Sequence, residues 1–142
     1  MQLPDVNVLV YAARTDSPVH VQHRAWLDEL VNGPSAFAMS ELVLSGFVRV
    51  VTNPRAYRTP TPVADAVRFV EEIVGQPSCR LLRPGPGHLG IFLGLCSSLG
   101  LVGNQVPDAY HAALAIESGS EWVTTDRGFA QFPGLRWRHP LH

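Results

Sequence analysis

The sequence predicts one α/β domain in which helices cover a parallel sheet. Short apolar, β-branched segments alternate with longer segments whose apolar residues recur at helical spacing, the pattern of parallel strands joined by crossover helices. The chain has 142 residues, of which 46% are hydrophobic and 16% charged, enough for one core of ordinary size. No internal repeat, low-complexity segment or linker divides the sequence, so we expect a single domain over residues 1–142.

Two different patterns predict the first strand and the first helix. Residues 3–11 are apolar and largely β-branched, with Asp5 as the charged exception, as in a strand that is buried on both faces. A helix follows, with Ser17 as its N-cap, Pro18 in its first turn and apolar residues at helical spacing up to Gly33.

The middle of the chain is predicted to repeat the order of strand and helix. Residues 36–39 form a short apolar strand. Ser40 then caps a helix that carries Glu41 in its first turn and ends before Asn53. A proline begins the next helix, in which residues 62–74 present one apolar stripe.

The remaining elements are predicted from the same signals. They are a strand at 79–82, a helix at 88–99, a helix from Pro107 to Gly119, a strand at 121–125 that ends at Asp126, and an edge strand at 135–138. The helix at 88–99 belongs to a stretch without any charged residue. Its apolar part is too short, and too often interrupted by glycine and serine, to span a membrane. We therefore expect it to be buried in the protein.

Composition excludes some classes of function. All 11 basic residues are arginine, so any reaction that needs a lysine is excluded. The net charge of −1 argues against a strongly basic nucleic-acid-binding surface, unless a metal neutralises some of the acids. The N-terminus lacks the pattern of a secretion signal, so a cytoplasmic protein is expected, with both cysteines reduced.

Four carboxylates occupy special places: Asp5 inside the predicted first strand, Glu41 and Asp108 in first helical turns, and Asp126 directly after a strand. In open parallel sheets, the carboxyl ends of strands and the following helix N-termini share one edge, where ligands bind. Glu41 and Asp108 taken singly have a structural explanation as dipole partners, and Asp126 as a turn former. Asp5 does not, because a charge buried without a partner is costly.

Convergence of these acids predicts a metal. Two like charges about 4 Å apart cost on the order of 4 kcal/mol at an intermediate dielectric, and a divalent cation removes that cost. Oxygen donors suit Mg²⁺ or Mn²⁺. The other acids are expected on the surface; they are Asp16, Asp28, Glu29, Asp65, Glu71, Glu72, Glu117 and Glu121.

Histidine and tryptophan receive no functional role from the sequence. His20 and His23 have a spacing compatible with zinc, but no third ligand lies nearby, and both are expected on a helix surface. Trp26, Trp122 and Trp137 are expected to pack in the core or at the sheet edge.

Four sequence blocks together resemble a known family. They are DVNVLVYA at 5–12, the Ser40-Glu41 pair, GNQVPDAYHAALAIESG at 103–119 and WVTTDRGFAQFPGLRW at 122–137. Over nearly its whole length the chain resembles the PIN-domain nucleases, and more closely the VapC-type toxins of bacterial toxin–antitoxin systems. The resemblance implies a three-layer α/β/α domain with about five parallel strands.

The resemblance also implies roles for individual residues. The metal ligands would be Asp5, Glu41, Asp108 and Asp126, with Asp5 and Asp108 the most direct. The polar residues behind them would be Asn7, Ser40, Asn104 and Thr125. Arginines near the site would hold the RNA, and the candidates are Arg14, Arg49, Arg55 and Arg127.

The implied activity is hydrolysis of RNA phosphodiester bonds by an endoribonuclease that depends on Mg²⁺ or Mn²⁺, with a metal-activated water as the nucleophile. The number of ions, one or two, stays open. The implied partners are an RNA substrate, an inhibitory VapB-type antitoxin and a second copy of the chain in a homodimer, without a membrane.

Several alternatives remain. The chain could be a housekeeping RNA-processing PIN nuclease instead of a toxin, or a PIN-like binding module without turnover. Phosphoaspartyl phosphatases and receiver domains also place acids at strand ends, but they need a lysine, and the phosphatases a second acid where Asn7 stands.

Overall fold

Two groups of hydrogen-bonded parallel strands form the sheet of the protein, which a computed structural model describes over residues 1–142. In the first group β4 (Glu121–Val123) lies between β1 (Gln2–Pro4) and β5 (Trp137–Arg138). In the second, β2 (Phe37–Ser40) pairs with β3 (Cys79–Leu82). Because β1 also packs beside β2, the strands lie in the order β3, β2, β1, β4, β5, and every ladder is parallel. The predicted parallel sheet of about five strands is confirmed.

Six helices cover this sheet: α1 (Val6–Ala13), α2 (His20–Asn32), α3 (Glu41–Val51), α4 (Val63–Val74), α5 (His88–Leu99) and α6 (Gln105–Ser118). A 3-10 helix, Arg127–Gln131, precedes β5. The helices pack in two groups, α1 to α4 and α5 with α6. The three-layer α/β/α architecture is therefore confirmed.

The strand predicted at residues 3–11 is wrong beyond Pro4. Asp5 ends β1 and is the N-cap of α1, where its side chain accepts a hydrogen bond from the backbone N–H of Val6. A short apolar run satisfies the pattern of a buried strand and of a buried helix equally well, and here the aspartate cap begins a helix. Asp5 consequently lies at a strand-to-helix junction and not inside a strand.

The start of α2 is also displaced from its prediction. Ser17 organises the turn before the helix: its hydroxyl accepts from Val19 N at 3.3 Å, and its carbonyl accepts from His20 N at 3.1 Å. The helix itself begins at His20 and ends, as predicted, before Gly33.

Three further boundaries differ by two residues each. α6 begins at Gln105, two residues before the predicted Pro107. β4 ends at Val123 instead of Thr125, and β5 begins at Trp137 instead of Leu135, because only two residues of each strand pair with the other. The early end of β4 leaves the residues before Asp126 outside the sheet.

The expectation of a buried helix at 88–99 is wrong. In α5 only His88 and Leu95 are buried, whereas Leu89 is 63% exposed and Leu93 53%. α5 packs mainly on α6, so its outer face stays open. No helix has both the length and the apolar character needed to cross a membrane.

The core contains the largest aromatic residues of the sheet and of α3. Trp122 and Phe37 are fully enclosed, and Phe47 nearly so, which confirms the packing role predicted for Trp122. His23, expected on the surface, is instead only 1% exposed, with Nδ1 bonded to the carbonyl of Val19 at 2.8 Å. Cys79 and Cys96 form no disulfide.

Candidate metal centre

The carboxyl edge of the sheet gathers the acids selected from the sequence. Asp5 follows β1, Glu41 follows β2 and Asp126 lies just beyond β4, and β1 and β4 run parallel to each other. Asp108 reaches the region from the first turn of α6. Parallel topology thus explains why residues far apart in sequence share one edge.

Asp5 is held by a complete set of donors. Its Oδ1 accepts from Val6 N at 2.6 Å, and its Oδ2 accepts from the Thr124 hydroxyl at 2.6 Å and from the Asn7 side-chain amide at 3.2 Å. Its backbone N–H donates to Val123 O at 2.8 Å, which continues the ladder by one bond. These hydrogen bonds fix the side chain, and only 7% of the residue is exposed.

Thr124 is the residue that sequence reasoning missed. Its hydroxyl donates to Asp5 and accepts from Asn7 Nδ2 at 3.2 Å and from Asp126 N at 3.0 Å, which uses its whole hydrogen-bonding capacity. Its neighbour Thr125, selected from the resemblance, contributes its backbone N–H, which donates to Asn7 Oδ1 at 3.3 Å. The β1–β4 register places Thr124 opposite Asp5, and that register was not visible in the sequence.

The side chains of Asp126 and Asp108 are more exposed than that of Asp5 and make fewer hydrogen bonds. Asp126 is exposed and caps the 3-10 helix, since its Oδ1 accepts from Gly128 N at 2.8 Å. Asp108 is half-buried, and Asn104, not Asp108, occupies the N-cap position of α6 without a side-chain bond. Asp126 thus combines the turn-forming role considered from the sequence with a place near the other acids.

Burial and neighbouring charges raise the pKa values of Asp5 and Asp108. Burial raises the pKa of Asp5 from its usual 3.8 to about 6, against the opposing effect of hydrogen bonds from Thr124 and Val6. The negative charges of Asp108 and Asp126 raise it further. The pKa of Asp108 is also raised, first by burial and then by the charge of Asp126. This is the mutual repulsion that the sequence predicted.

Glu41 stands apart from that trio. It lies in the first turn of α3, which Ser40 caps by accepting from Val43 N at 3.4 Å. Its Oε1 accepts from Arg83 Nε at 2.7 Å, and neither side chain is buried. The structure therefore brings Asp5, Asp108 and Asp126 together and pairs Glu41 with an arginine that the sequence did not single out.

The donor chemistry fits a hard divalent cation. No group of three or more acidic, histidine or cysteine side chains is already arranged to hold an ion. Mg²⁺, however, usually keeps several waters and needs only one or two protein carboxylates. Asp5 with Asp108 or Asp126 meets that requirement, and a cation would reverse the repulsion that raises the pKa of Asp5.

The arginines selected for RNA contact lie in different environments. Arg14 is buried, pairs with both carboxylate oxygens of Asp16 at 3.0 and 2.7 Å, and lies over the Tyr57 ring. Contact with RNA would require breaking those bonds. Arg49 is exposed but lies eight residues along α3 from Glu41, or about 12 Å away along the helix.

Arg55 is exposed in the turn after α3, and Arg127 is exposed beside Asp126 at the start of the 3-10 helix. Of the four selected arginines, Arg127 is therefore the one whose backbone adjoins a candidate ligand.

Comparison with known proteins agrees with this fold and identifies its family. The model of the PIN domain matches residues 3–135. Ribonuclease VapC43 of Mycobacterium tuberculosis is 44% identical over 137 residues, covering 96% of this chain and 93% of that protein. Ribonuclease VapC33 of the same organism is 40% identical over 141 residues, covering 99% of each.

Solved structures share the fold at low sequence identity. A VapBC2 complex from Rickettsia felis, bound to a DNA fragment from its promoter, matches with a TM-score of 0.71 and 16% identity over 97% of each chain. VapC20 of Mycobacterium tuberculosis, described as a toxin that cleaves the sarcin-ricin loop, matches with a TM-score of 0.68 and 14% identity over 96% of this chain and 99% of that chain. The chain belongs to the PIN-domain family and, within it, to the VapC ribonucleases.

Proposed function

We propose that residues 1–142 act as a single PIN domain that hydrolyses RNA phosphodiester bonds with Mg²⁺ or Mn²⁺, as the toxin of a toxin–antitoxin pair. The observation that carries this proposal is the buried Asp5 carboxylate, whose pKa burial and the charges of Asp108 and Asp126 raise to about 6. A folded protein keeps such a costly group where a ligand of opposite charge offsets it.

The relatives support the choice of substrate and partner. Proteins with 40% and 44% identity over nearly the whole chain are named ribonucleases. Structural neighbours include toxin–antitoxin complexes. We therefore infer an RNA substrate and a VapB-type antitoxin, met in the cytoplasm, with the protein itself forming a homodimer.

The acids at the sheet edge would hold the ion. Asp5 and Asp108 are the proposed direct ligands, with Asp126 and Glu41 completing the oxygen-donor set. When bound, such an ion supplies a Lewis acid that lowers the pKa of water and stabilises charge on the phosphate oxygens.

The protein's own residues give the site its geometry. Thr124 and Asn7 both donate to Oδ2 of Asp5, and Val6 N donates to Oδ1, so the carboxylate cannot rotate freely. The same Thr124 hydroxyl accepts from the backbone of Asp126. One side chain thus sets the position of two proposed ligands before any substrate arrives.

RNA cleavage by the purified protein tests this proposal. With Mn²⁺ we expect cleavage that EDTA abolishes, and Asp5→Asn and Asp108→Asn should each reduce the rate at least a hundredfold. Asp28→Asn, on the exposed face of α2, is the matched control and should cleave like the wild type. Equal rates in the wild type and both site variants would contradict the assignment.

A further inference from the structure

We propose that Arg83 binds an RNA phosphate at this site and is held by Glu41 in the free protein. On substrate binding its guanidinium would exchange the Glu41 carboxylate for a backbone phosphate of the RNA. This inference rests on the proposed ribonuclease function and deepens it by naming a substrate-binding residue outside the set of acids.

The position of Arg83 follows from the sheet. β3 ends at Leu82, so the next residue emerges at the carboxyl edge of the sheet. β3 pairs with β2, which leads directly into Glu41. Arg83 therefore lies beside Glu41 because of the β2–β3 pairing, in a strand-end position equivalent to that of Asp5.

The ion pair between Arg83 and Glu41 is short, but both side chains are exposed to solvent. Arg83 Nε and Nη2 lie 2.7 and 2.5 Å from the same oxygen, Oε1 of Glu41. The Arg83 side chain is 69% exposed and that of Glu41 51%. An ion pair this open to solvent contributes little to stability, so exchanging it costs little.

A phosphate would use the guanidinium more fully than Glu41 does. Nε and Nη2 of Arg83 both contact one carboxylate oxygen, Oε1 of Glu41. A planar guanidinium group is suited to bind two oxygens at once. A phosphodiester presents two non-bridging oxygens in that geometry. The exchange would also release Glu41 toward the other acids.

The backbone beyond Arg83 is fixed, so only its side chain needs to move. Glu117 accepts from Gly85 N at 2.7 Å and from Gly87 N at 2.8 Å, one bond to each carboxylate oxygen. A side chain at Gly85 would place its Cβ 2.9 Å from Glu117 Oε2, so it would displace the Glu117 carboxylate from its present position. Glu117, expected to be only a surface charge, therefore fixes the loop that positions Arg83.

Other arginines of the sheet are engaged elsewhere. Arg136 and Arg138 lie at the edge strand, where Arg136 bonds to the Gly119 carbonyl and Arg138 pairs with Glu121. Arg80, three residues before Arg83, donates to the carbonyls of Pro77 and Cys79. Arg80 is exposed and shares β3 with Arg83, which makes it the matched control.

RNA binding by a cleavage-impaired protein tests the inference. In an Asp5→Asn background, affinity for a fluorescently labelled single-stranded RNA would be measured by anisotropy at several salt concentrations. Arg83→Ala should weaken binding roughly tenfold and reduce the slope of log K against log salt by about 0.7, the value of one lost phosphate contact. Arg83→Lys should retain the slope because it retains the charge, and Arg80→Ala should change neither quantity.

The outcomes separate this inference from the proposed function. Unchanged affinity and slope in Arg83→Ala, or the same loss in Arg80→Ala, would overturn the role of Arg83 even if the wild type cleaves RNA. A wild type that binds RNA but does not cleave it would contradict the proposed function. The comparison of Arg83→Ala with Arg80→Ala would still decide whether Arg83 binds the RNA. Absence of RNA binding in the Asp5→Asn protein would overturn the role of Arg83 alone, because an arginine that binds the phosphate should retain the RNA without the metal. Thermal unfolding of each variant would verify that it folds.

Discussion

The hydroxyl of Thr124 donates to Oδ2 of Asp5 across 2.6 Å, joining the end of β4 to the junction between β1 and α1. This bond stabilises the ionised carboxylate and opposes the burial that raises the pKa of Asp5 to about 6. A hydrogen-bond donor just beyond β4 thereby affects the charge state of the acid that follows β1, at the edge where the metal is proposed to bind.

Removing that donor should shift the pH dependence of cleavage. Thr124→Val keeps the buried shape but leaves Oδ2 of Asp5 without its shortest bond, so the pKa of Asp5 should rise further. We expect the acid limb of the rate profile to move to higher pH by about one unit, since a hydrogen bond to a charged group is worth at least about 1.5 kcal/mol. Thr125→Val, whose contribution comes from the backbone, is the control. Identical profiles for both variants would show that the Thr124 hydroxyl does not set this pKa.

Asp5→Asn should stabilise the metal-free protein while abolishing its activity. The folded-state pKa of Asp5 is raised from 3.8 to about 6, so the folded protein binds this proton more tightly than the unfolded chain. Stability from this group is complete below about pH 4 and is lost as the pH rises through 6. At pH 7 the ionised Asp5 carboxylate lowers the free energy of unfolding of the wild type by about 3 kcal/mol. The variant avoids this cost but loses one hydrogen-bond acceptor, so its net gain is smaller.

Urea unfolding in EDTA would measure this effect. We expect Asp5→Asn to exceed the wild type by about 1–2 kcal/mol at pH 7 and to match or fall below it at pH 4. Added Mn²⁺ should stabilise the wild type and leave the variant unchanged. A wild type more stable than Asp5→Asn at pH 7 without metal would show that the ionised Asp5 carboxylate does not destabilise the folded protein.

His111 should produce the opposite pH dependence. Burial lowers its pKa from 6.5 to about 4, and its ring stacks on Trp122 with centroids 5.2 Å apart. The unfolded chain gains this proton below about pH 6.5, whereas the folded protein does not until about pH 4, so stability falls with pH in that window. His111→Phe removes the titration, and its buried Nδ1 has no hydrogen-bond partner to lose. The stability of the variant between pH 6.5 and 4 should decline less than that of the wild type, and an equal decline would exclude His111 as the cause.

Overexpression in a bacterial host should arrest growth if the protein is a toxin. Asp5→Asn should relieve the arrest because it removes a proposed metal ligand, whereas Asp28→Asn should arrest growth like the wild type. Growth curves after induction, with immunoblots to equalise protein levels, provide the measurement. Normal growth with active wild-type protein would favour the housekeeping nuclease over the toxin.

Much of the fold was readable from the sequence because the apolar segments and the helix caps agree. Ser40 both ends β2 and caps α3, and the left-handed Gly119 ends α6 where predicted. The strand predicted at residues 3–11 is wrong from residue 6 onward because a short apolar run does not distinguish a buried strand from a buried helix. Only the aspartate cap at Asp5 decides between them.

The candidate site was predictable in its acids and less so in their neighbours. Strand ends and first helical turns identify acidic positions directly in the sequence. Choosing Thr124 over Thr125 requires the β1–β4 register, and pairing Arg83 with Glu41 requires the β2–β3 ladder. Both are contacts between distant parts of the chain, and one sequence without its pairing does not specify them.

The most direct test is a crystal structure of the protein with Mn²⁺, with anomalous diffraction to locate the metal. We expect a peak about 2.1 Å from carboxylate oxygens of Asp5 and Asp108, with Thr124 still bonded to Asp5. A protein that cleaves RNA but binds manganese elsewhere, with these two carboxylates unligated, would contradict the proposed metal site.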